Sequence, residues 1–244
     1  MKRAYLECLK ILRFFRKSLI KDMDIKRGKM YFNWLKDKTE KVINEKNDNY
    51  IYKNVINYTL PKYVITQYTF NKANKSIKTI IRRNYSLKDN KYIFNNIRIS
   101  NDDVKLLMKY VLFKRGNVIW LDFGFNIGNE FGGMHPAVIL KNFDNDLFVV
   151  PISSKMPHEY IKLLQDLENK IISEEEYEKR KQAITEIIEL KKINGFRNML
   201  RWARITRMKK ISMLRVNFSG TIGTLDGTDM DRIAEKISIE LGSK

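Results

Sequence analysis

The sequence predicts an α+β protein with two unlike parts. Residues 1–114 read as a mainly helical basic region. Residues 115–244 read as a small antiparallel barrel with a helical insert at 157–195 and a closing helix. Three observations carry this. Charge is uneven: residues 1–114 hold 27 Lys+Arg against 10 Asp+Glu, and residues 115–244 hold 20 against 18. The hydrophobic period changes at Arg115 from helical to strand-like. The run "NVIWLDFGFNIGNEFGGMHPAVIL" holds four of the eleven glycines between two apolar stretches of strand length.

Taken in chain order, Tyr5, Leu9, Leu12, Phe15 and Leu19 recur at spacings of four and three, one face of a helix. A second helix is expected over Lys29–Glu45, with Tyr31, Trp34, Leu35 and Val42 inward. Residues 47–100 are rich in Asn, Tyr and Lys and carry weak periodicity. Ser100-Asn-Asp-Asp103 is a helix start, its acids favouring the first-turn dipole, and the helix should reach Phe113. Val118–Phe123, Ala137–Leu140 and Leu147–Ile152 are strands. Pro157 opens the insert, whose first helix aligns Ile161, Leu164 and Leu167. Ser173-Glu-Glu-Glu176 is a capping box for its second helix, expected to align Ile184, Ile187, Ile188 and Leu190. Trp202–Ile211 alternates as one long strand, and Thr221–Leu225 is a short one. Thr228 should cap a final helix with Met230, Ile233, Ile237 and Leu241 inward.

A formal net charge of +19 and a pI near 9.8 point toward polyanions. The single cysteine, Cys8, excludes an intrachain disulfide framework and fits a reducing compartment. Lys10, Arg13, Arg16 and Lys17 break up any signal-peptide core, and no run is long enough to span a membrane. A cytoplasmic protein without membrane partners is expected. His135 and His158, with no cysteine pair, are too few for a zinc site, so neither metal nor cofactor is expected.

The glycine loop does not have the chemistry of a nucleotide-cofactor loop. No Lys-Ser/Thr follows it, the spacing is not G-x-G-x-x-G, and a strand comes next. With Glu130 and His135 inside, it suits a groove for an extended polymer. At this point the chain resembles the MazF/PemK family of toxin endoribonucleases. The blocks are "RGNVIWLDFGFNIGNEFGGMHPAVIL", "FVVPISSK", "KKISMLRV" and "TIGTLDGTDMDRIAEKI", in the family's order between Arg115 and Glu240. Residues 1–114 and the insert lie outside the pattern. The resemblance implies a strongly bent SH3-like barrel, a homodimer, a cognate antitoxin, and metal-independent cleavage of single-stranded RNA. By position, the family's catalytic arginine becomes His135, its threonine becomes Ser153, and its loop glutamate becomes Glu130. Arg215 matches the arginine of the I-x-x-x-R-L stretch and is a candidate phosphate contact or second catalytic cation. His135 is a departure, because arginine stays protonated whereas histidine titrates near neutrality.

No acid occurs between Glu189 and Asp226, a stretch that contains Arg197, Arg201, Trp202, Arg204, Arg207, Lys209 and Lys210. Arginines interleaved with aromatics suit unpaired bases, which makes these the expected RNA-binding residues. Asp122, at the end of a strand, is expected to anchor a turn, and His158 to lie at a surface or cap. Two functions follow: an endoribonuclease of a toxin–antitoxin pair, or a catalytically inactive RNA- or DNA-binding regulator on the same barrel.

Overall fold

The computed structural model describes residues 10, 13, 25–44, 48–124, 132–184 and 186–242. The face through Tyr5, Leu9, Leu12, Phe15 and Leu19, the Cys8 thiol, the Val42 side chain and Glu130 lie outside what it describes.

The N-terminal region begins with α1 (Ile25–Asn44) and α2 (Asp48–Asn54), followed by a π-helical turn (Val55–Thr59). Then come β1 (Ile65–Thr66), α3 (Gln67–Lys72), α4 (Lys75–Asn84), β2 (Tyr85–Lys88) and β3 (Lys91–Phe94). The region closes with α5 (Asn101–Leu107), which runs into a second π-helical turn, Met108–Leu112. Ser100 Oγ accepts the Asp103 N–H at the start of α5, as its sequence predicts. The three-stranded sheet β1-β3-β2 is an addition to the expected helices. Its hairpin turns through Asp89 and Asn90, both at positive φ, which matches the twist of the flanking strands.

The second region holds β4 (Asn117–Asp122), β5 (Met134–Asn142), β6 (Asp146–Ser153), α6 (His158–Glu168) and α7 (Glu174–Ala183). It continues through β7 (Ile187–Leu190), β8 (Arg201–Arg204), β9 (Lys209–Ser212), β10 (Gly223–Thr224) and α8 (Gly227–Glu240). The strands form an antiparallel sheet in the order β10-β4-β5-β6-β8-β7, with β9 also on β6. A register shift between Ile139 and Lys141 bulges β5 and adds twist. The sheet curls into a half-barrel, and an Asn194–Thr224 bridge links the chain after β7 to β10.

Three expectations are corrected. Ile187, Ile188 and Leu190 lie on β7, because the insert's second helix stops at Ala183. That helix buries no side chain, whereas these three are buried against the sheet. Trp202–Ile211 is two strands: a 3-10 turn at Ile205–Arg207 lets the chain leave Ile152 and Ser153 and re-pair with Asp146–Val149 further back on β6. Asp226, not Thr228, caps the last helix, its carboxylate accepting the Asp229 N–H at 2.8 Å, and Leu241 is exposed.

The strands read as apolar runs because both faces of the sheet are buried. Ile119, Leu121, Ala137, Ile139, Leu147 and Val149 pack into one cluster with Ile51, Val55, Leu60, Leu112 and Phe113 of the N-terminal region. Val118, Val138, Val150 and Ile152 pack on the other face with Ile188, Leu190, Leu225, Met230 and Ile233. The first cluster crosses residue 114, so one face of the sheet is covered by the chain that precedes it.

Asn117 sits where the two parts meet and is fully buried. Its amide donates to the carbonyls of Val111 and Leu112, 2.9 and 2.8 Å, which end the second π-helical turn. Its carbonyl accepts the Thr224 hydroxyl at 3.3 Å, and its side chain also meets the Tyr63 hydroxyl. Replacing Asn117 with Ala leaves two buried carbonyls without donors. The expected cost is on the order of 3 kcal/mol, given 1–3 kcal/mol for each unsatisfied buried group. Urea unfolding of Asn117→Ala against wild type checks this; a loss below about 1 kcal/mol would contradict it.

Candidate active site

The site is built at the free end of β4. There Asp122 accepts the Gly124 N–H through Oδ1 at 2.9 Å and the Lys41 ammonium through Oδ2 at 2.7 Å. It thus anchors the turn, as its place at a strand end suggests, and it also ties α1 to the barrel. Gly124 has φ +91, and a Cβ added there would lie 3.0 Å from both Arg215 Nη1 and Trp34 Nε1. Glycine is needed at this position for the backbone angle and for the close approach. The far side of the loop is tied by Phe123 N–H to Gly133 O at 2.9 Å and Gly133 N–H to Gly124 O at 2.6 Å.

β5 then brings His135 opposite Leu121. On the other side of Leu121 lies Val216, through a single bridge, so Arg215 stands beside Asp122 and donates from Nη1 to its carbonyl at 3.2 Å. His135 and Arg215 therefore flank one strand end. His135 is half-buried, and burial pushes its pKa below the ordinary 6.5, with a backbone hydrogen bond at Gly132 acting weakly the other way. Ser153 ends β6 two residues beyond Pro151, which pairs with Ala137, and His135 lies two residues before Ala137 on β5. Its hydroxyl is engaged locally, accepting the Lys155 N–H at 3.0 Å and donating to Lys155 O at 3.2 Å.

The arginine-rich stretch divides. Arg201 is buried and donates to the carbonyls of Arg197 and Met199, at 2.9 and 3.3 Å. Trp202 is buried with Tyr160 and Ile187, so its faces are not open for stacking. Arg204 is half-buried, and burial lowers its pKa. Arg197, Arg207, Lys209 and Lys210 are exposed, with Lys210 paired to Asp146 at 2.8 Å. His158 is exposed at the first residue of α6.

Sequence reasoning missed the contribution of α1. Trp34, Lys38 and Lys41 project with Asp122, Ser212, Leu214 and Arg215 into a cleft of about 160 Å³. The spacing of three and four along α1 was the available signal, since it puts one aromatic and two cations on one helical face. Among the described residues no group of three or more His, Cys, Asp or Glu is placed to hold a metal ion, and no helix is long and apolar enough to cross a membrane.

The sequence profile of the PemK-like, MazF-like toxins of type II toxin–antitoxin systems matches residues 114–241. The chain belongs to that family. Comparison with curated proteins finds no match. Among solved structures the chain is similar to MazF (Form-I) from Deinococcus radiodurans, at 13% identity over 52% of this chain and 94% of that one, with a TM-score of 0.36. It is also similar to the Mycobacterium tuberculosis toxin MazF-mt6, at 12% identity over 52% and 97%, TM-score 0.33. The MazE–MazF structure (Form-II) from Deinococcus radiodurans matches at 14% identity over 55% and 98%, TM-score 0.35. The family span takes in β4 through α8, hence His135, Ser153 and Arg215, whereas α1 falls outside it.

Gly124→Ala tests whether this turn holds the site together. The positive φ and the two close atoms should cost roughly 1–3 kcal/mol of stability and displace Arg215 or Trp34. Thermal unfolding and tryptophan fluorescence of the variant check it, and an unchanged midpoint with an unchanged spectrum would contradict it.

Proposed function

We propose that this chain is a toxin endoribonuclease that cleaves single-stranded RNA by attack of a 2′-hydroxyl on the adjoining phosphate. The observation that carries the reading is a half-buried His135 and the Arg215 guanidinium on either side of the end of β4, within the family's matched span. His135 takes the proton of the 2′-hydroxyl. The O2′–P bond forms, the P–O5′ bond breaks, and the departing 5′-oxygen takes a proton from water. The product is a 2′,3′-cyclic phosphate, and His135 returns its proton to solvent. Arg215 meets the charge that develops on the phosphate oxygens. A fixed guanidinium at position 135 would supply charge but not a base; the histidine moves the proton-accepting role there and leaves the positive field to Arg215. Ser153 donates to a phosphate oxygen once its hydroxyl turns from Lys155 O; Glu130, outside the described residues, enters the reading only through its position in the family's motif.

RNA passes along the exposed cations Arg197, Arg207, Lys209 and Lys210, with residues 115–244 carrying the chemistry and residues 1–114 adding a basic flank. Burial of Arg201, Trp202 and much of Arg204 assigns those three to supporting this surface. The family's type II systems point to a cognate antitoxin as partner. A homodimer would use a surface other than the face of β4–β6 that the N-terminal region covers. The second reading, a non-catalytic RNA- or DNA-binding regulator, is favoured by one observation: no permanent cation stands at position 135.

Single-turnover cleavage of an end-labelled RNA separates the two readings. Wild type should cleave in EDTA as it does without it; activity abolished by chelator and restored by Mg²⁺ or Mn²⁺ would overturn the metal-free scheme. The rate should rise with pH through a His135 pKa below 6.5 and be flat above neutrality, because the neutral ring is the active form. His135→Ala should remove that limb and slow cleavage by about a hundredfold to ten-thousandfold, roughly 3–5 kcal/mol in the barrier. RNA binding without cleavage at any pH would establish the regulator.

A further inference from the structure

We propose that the cleft between α1 and the turn at Met213–Arg215 binds one nucleotide of the RNA strand, with its base against Trp34 and its phosphate between Lys38 and Arg215. This rests on the reading above and adds to it a substrate contact from a helix that lies outside the family span. Trp34 and Leu214 form apolar walls, and Lys38 and Arg215 are the cations. The single carboxylate in the cleft, Asp122, is already met by Lys41. Among the described residues neither Lys38 nor Arg215 pairs with a carboxylate, so the cleft presents net positive charge beside an indole. That combination is suited to a stacked base and its phosphate.

The size agrees. A cavity of about 150 Å³ accommodates a benzene ring, and this one is about 160 Å³. It therefore takes one flat ring and leaves the ribose and phosphate at its mouth. Lys38 Nζ now lies 5.0 Å from the centre of the Trp34 ring. A base entering the cleft takes that place on the indole and releases the ammonium to the following phosphate. The cleft shares Arg215 and Asp122 with the end of β4, so a nucleotide held there fixes the strand relative to His135. Trp34 is in this sense a positioning residue, and α1 selects which phosphate reaches the base.

The test uses the full chain and a 2′-O-methyl RNA heptamer, which lacks the attacking hydroxyl. Indole N–H resonances of ¹⁵N-labelled protein report Trp34, Trp120 and Trp202, and Trp34→Phe identifies the first. The Trp34 signal should shift on titration. Trp34→Ala should weaken binding by about tenfold to hundredfold, while Trp34→Phe, which keeps an aromatic face, retains most of the affinity. Lys38→Glu, at an exposed position, should weaken binding and flatten the dependence on log salt by about 0.7, one phosphate contact. A saturated complex with an unmoved Trp34 signal and an unweakened Lys38→Glu overturns the proposal. Cleavage of unmodified RNA, measured alongside, separates the two readings. Cleavage with Trp34 silent removes the cleft and keeps the nuclease; a Trp34 shift without cleavage keeps the cleft and removes the nuclease. Absence of binding removes both.

Discussion

The fold depends on one buried amide. Asn117 opens β4 and satisfies the last carbonyls of the helical segment that precedes it, while its own carbonyl is held by Thr224 of β10. A buried carbonyl without a donor is costly, so the helix can end against the sheet only if something donates there. An apolar side chain in that place would leave two carbonyls buried without a donor. From this seam follow the start of β4, its pairing with β10 at one edge and with β5 at the other, and the packing of Leu112 and Phe113 onto the sheet.

The same seam explains why the extension and the barrel form one body. Alternate residues of β4, β5 and β6 feed two separate cores, and the first of them draws on residues from 51 to 113 as well as on Ile211–Phe218. The N-terminal region therefore completes the packing of the sheet. The proposed site lies at the end of β4, where Leu121 is paired with His135 on one side and bridged to Val216 on the other. There the glycine turn and the switch of partners along β6 leave room for side chains from three distant parts of the sequence. Lys41, Asp122 and Arg215 meet there through backbone and carboxylate contacts that fix their positions without neutralising Arg215.

Much of this was legible in the sequence, for physical reasons that differ by element. The helix at 101 was readable because Ser100 and the acids behind it form a local signal. The strands from Val118 to Ile152 were readable because burial on both faces makes unbroken apolar runs. The isoleucines at 184–188 misled because helical and strand periods coincide over so short a run, and only pairing with β8 decides between them. The break at Ile205 could not be read, since it is set by where β6 has free edges. The Asp89-Asn90 hairpin carried a turn signal that its polar surroundings obscured. At the candidate site, the ordered blocks are what single out His135, Ser153 and Arg215. The meeting of Trp34 with Gly124 was invisible, because no local pattern encodes a contact across ninety residues.

The way β6 is partnered has a consequence for the order of events on the ribosome. Its edge is claimed by β8 near Ser153 and by β9 further back, and both are translated after the insert and β7. At about 5–20 residues per second, β6 waits seconds with one edge unpaired after it emerges. During that interval the helical region already made can cover only one face of the sheet. Arg215 emerges later still, after β9. A nascent chain therefore carries His135 well before it carries the cation proposed to work with it, and the proposed site cannot be complete until β9 has been made.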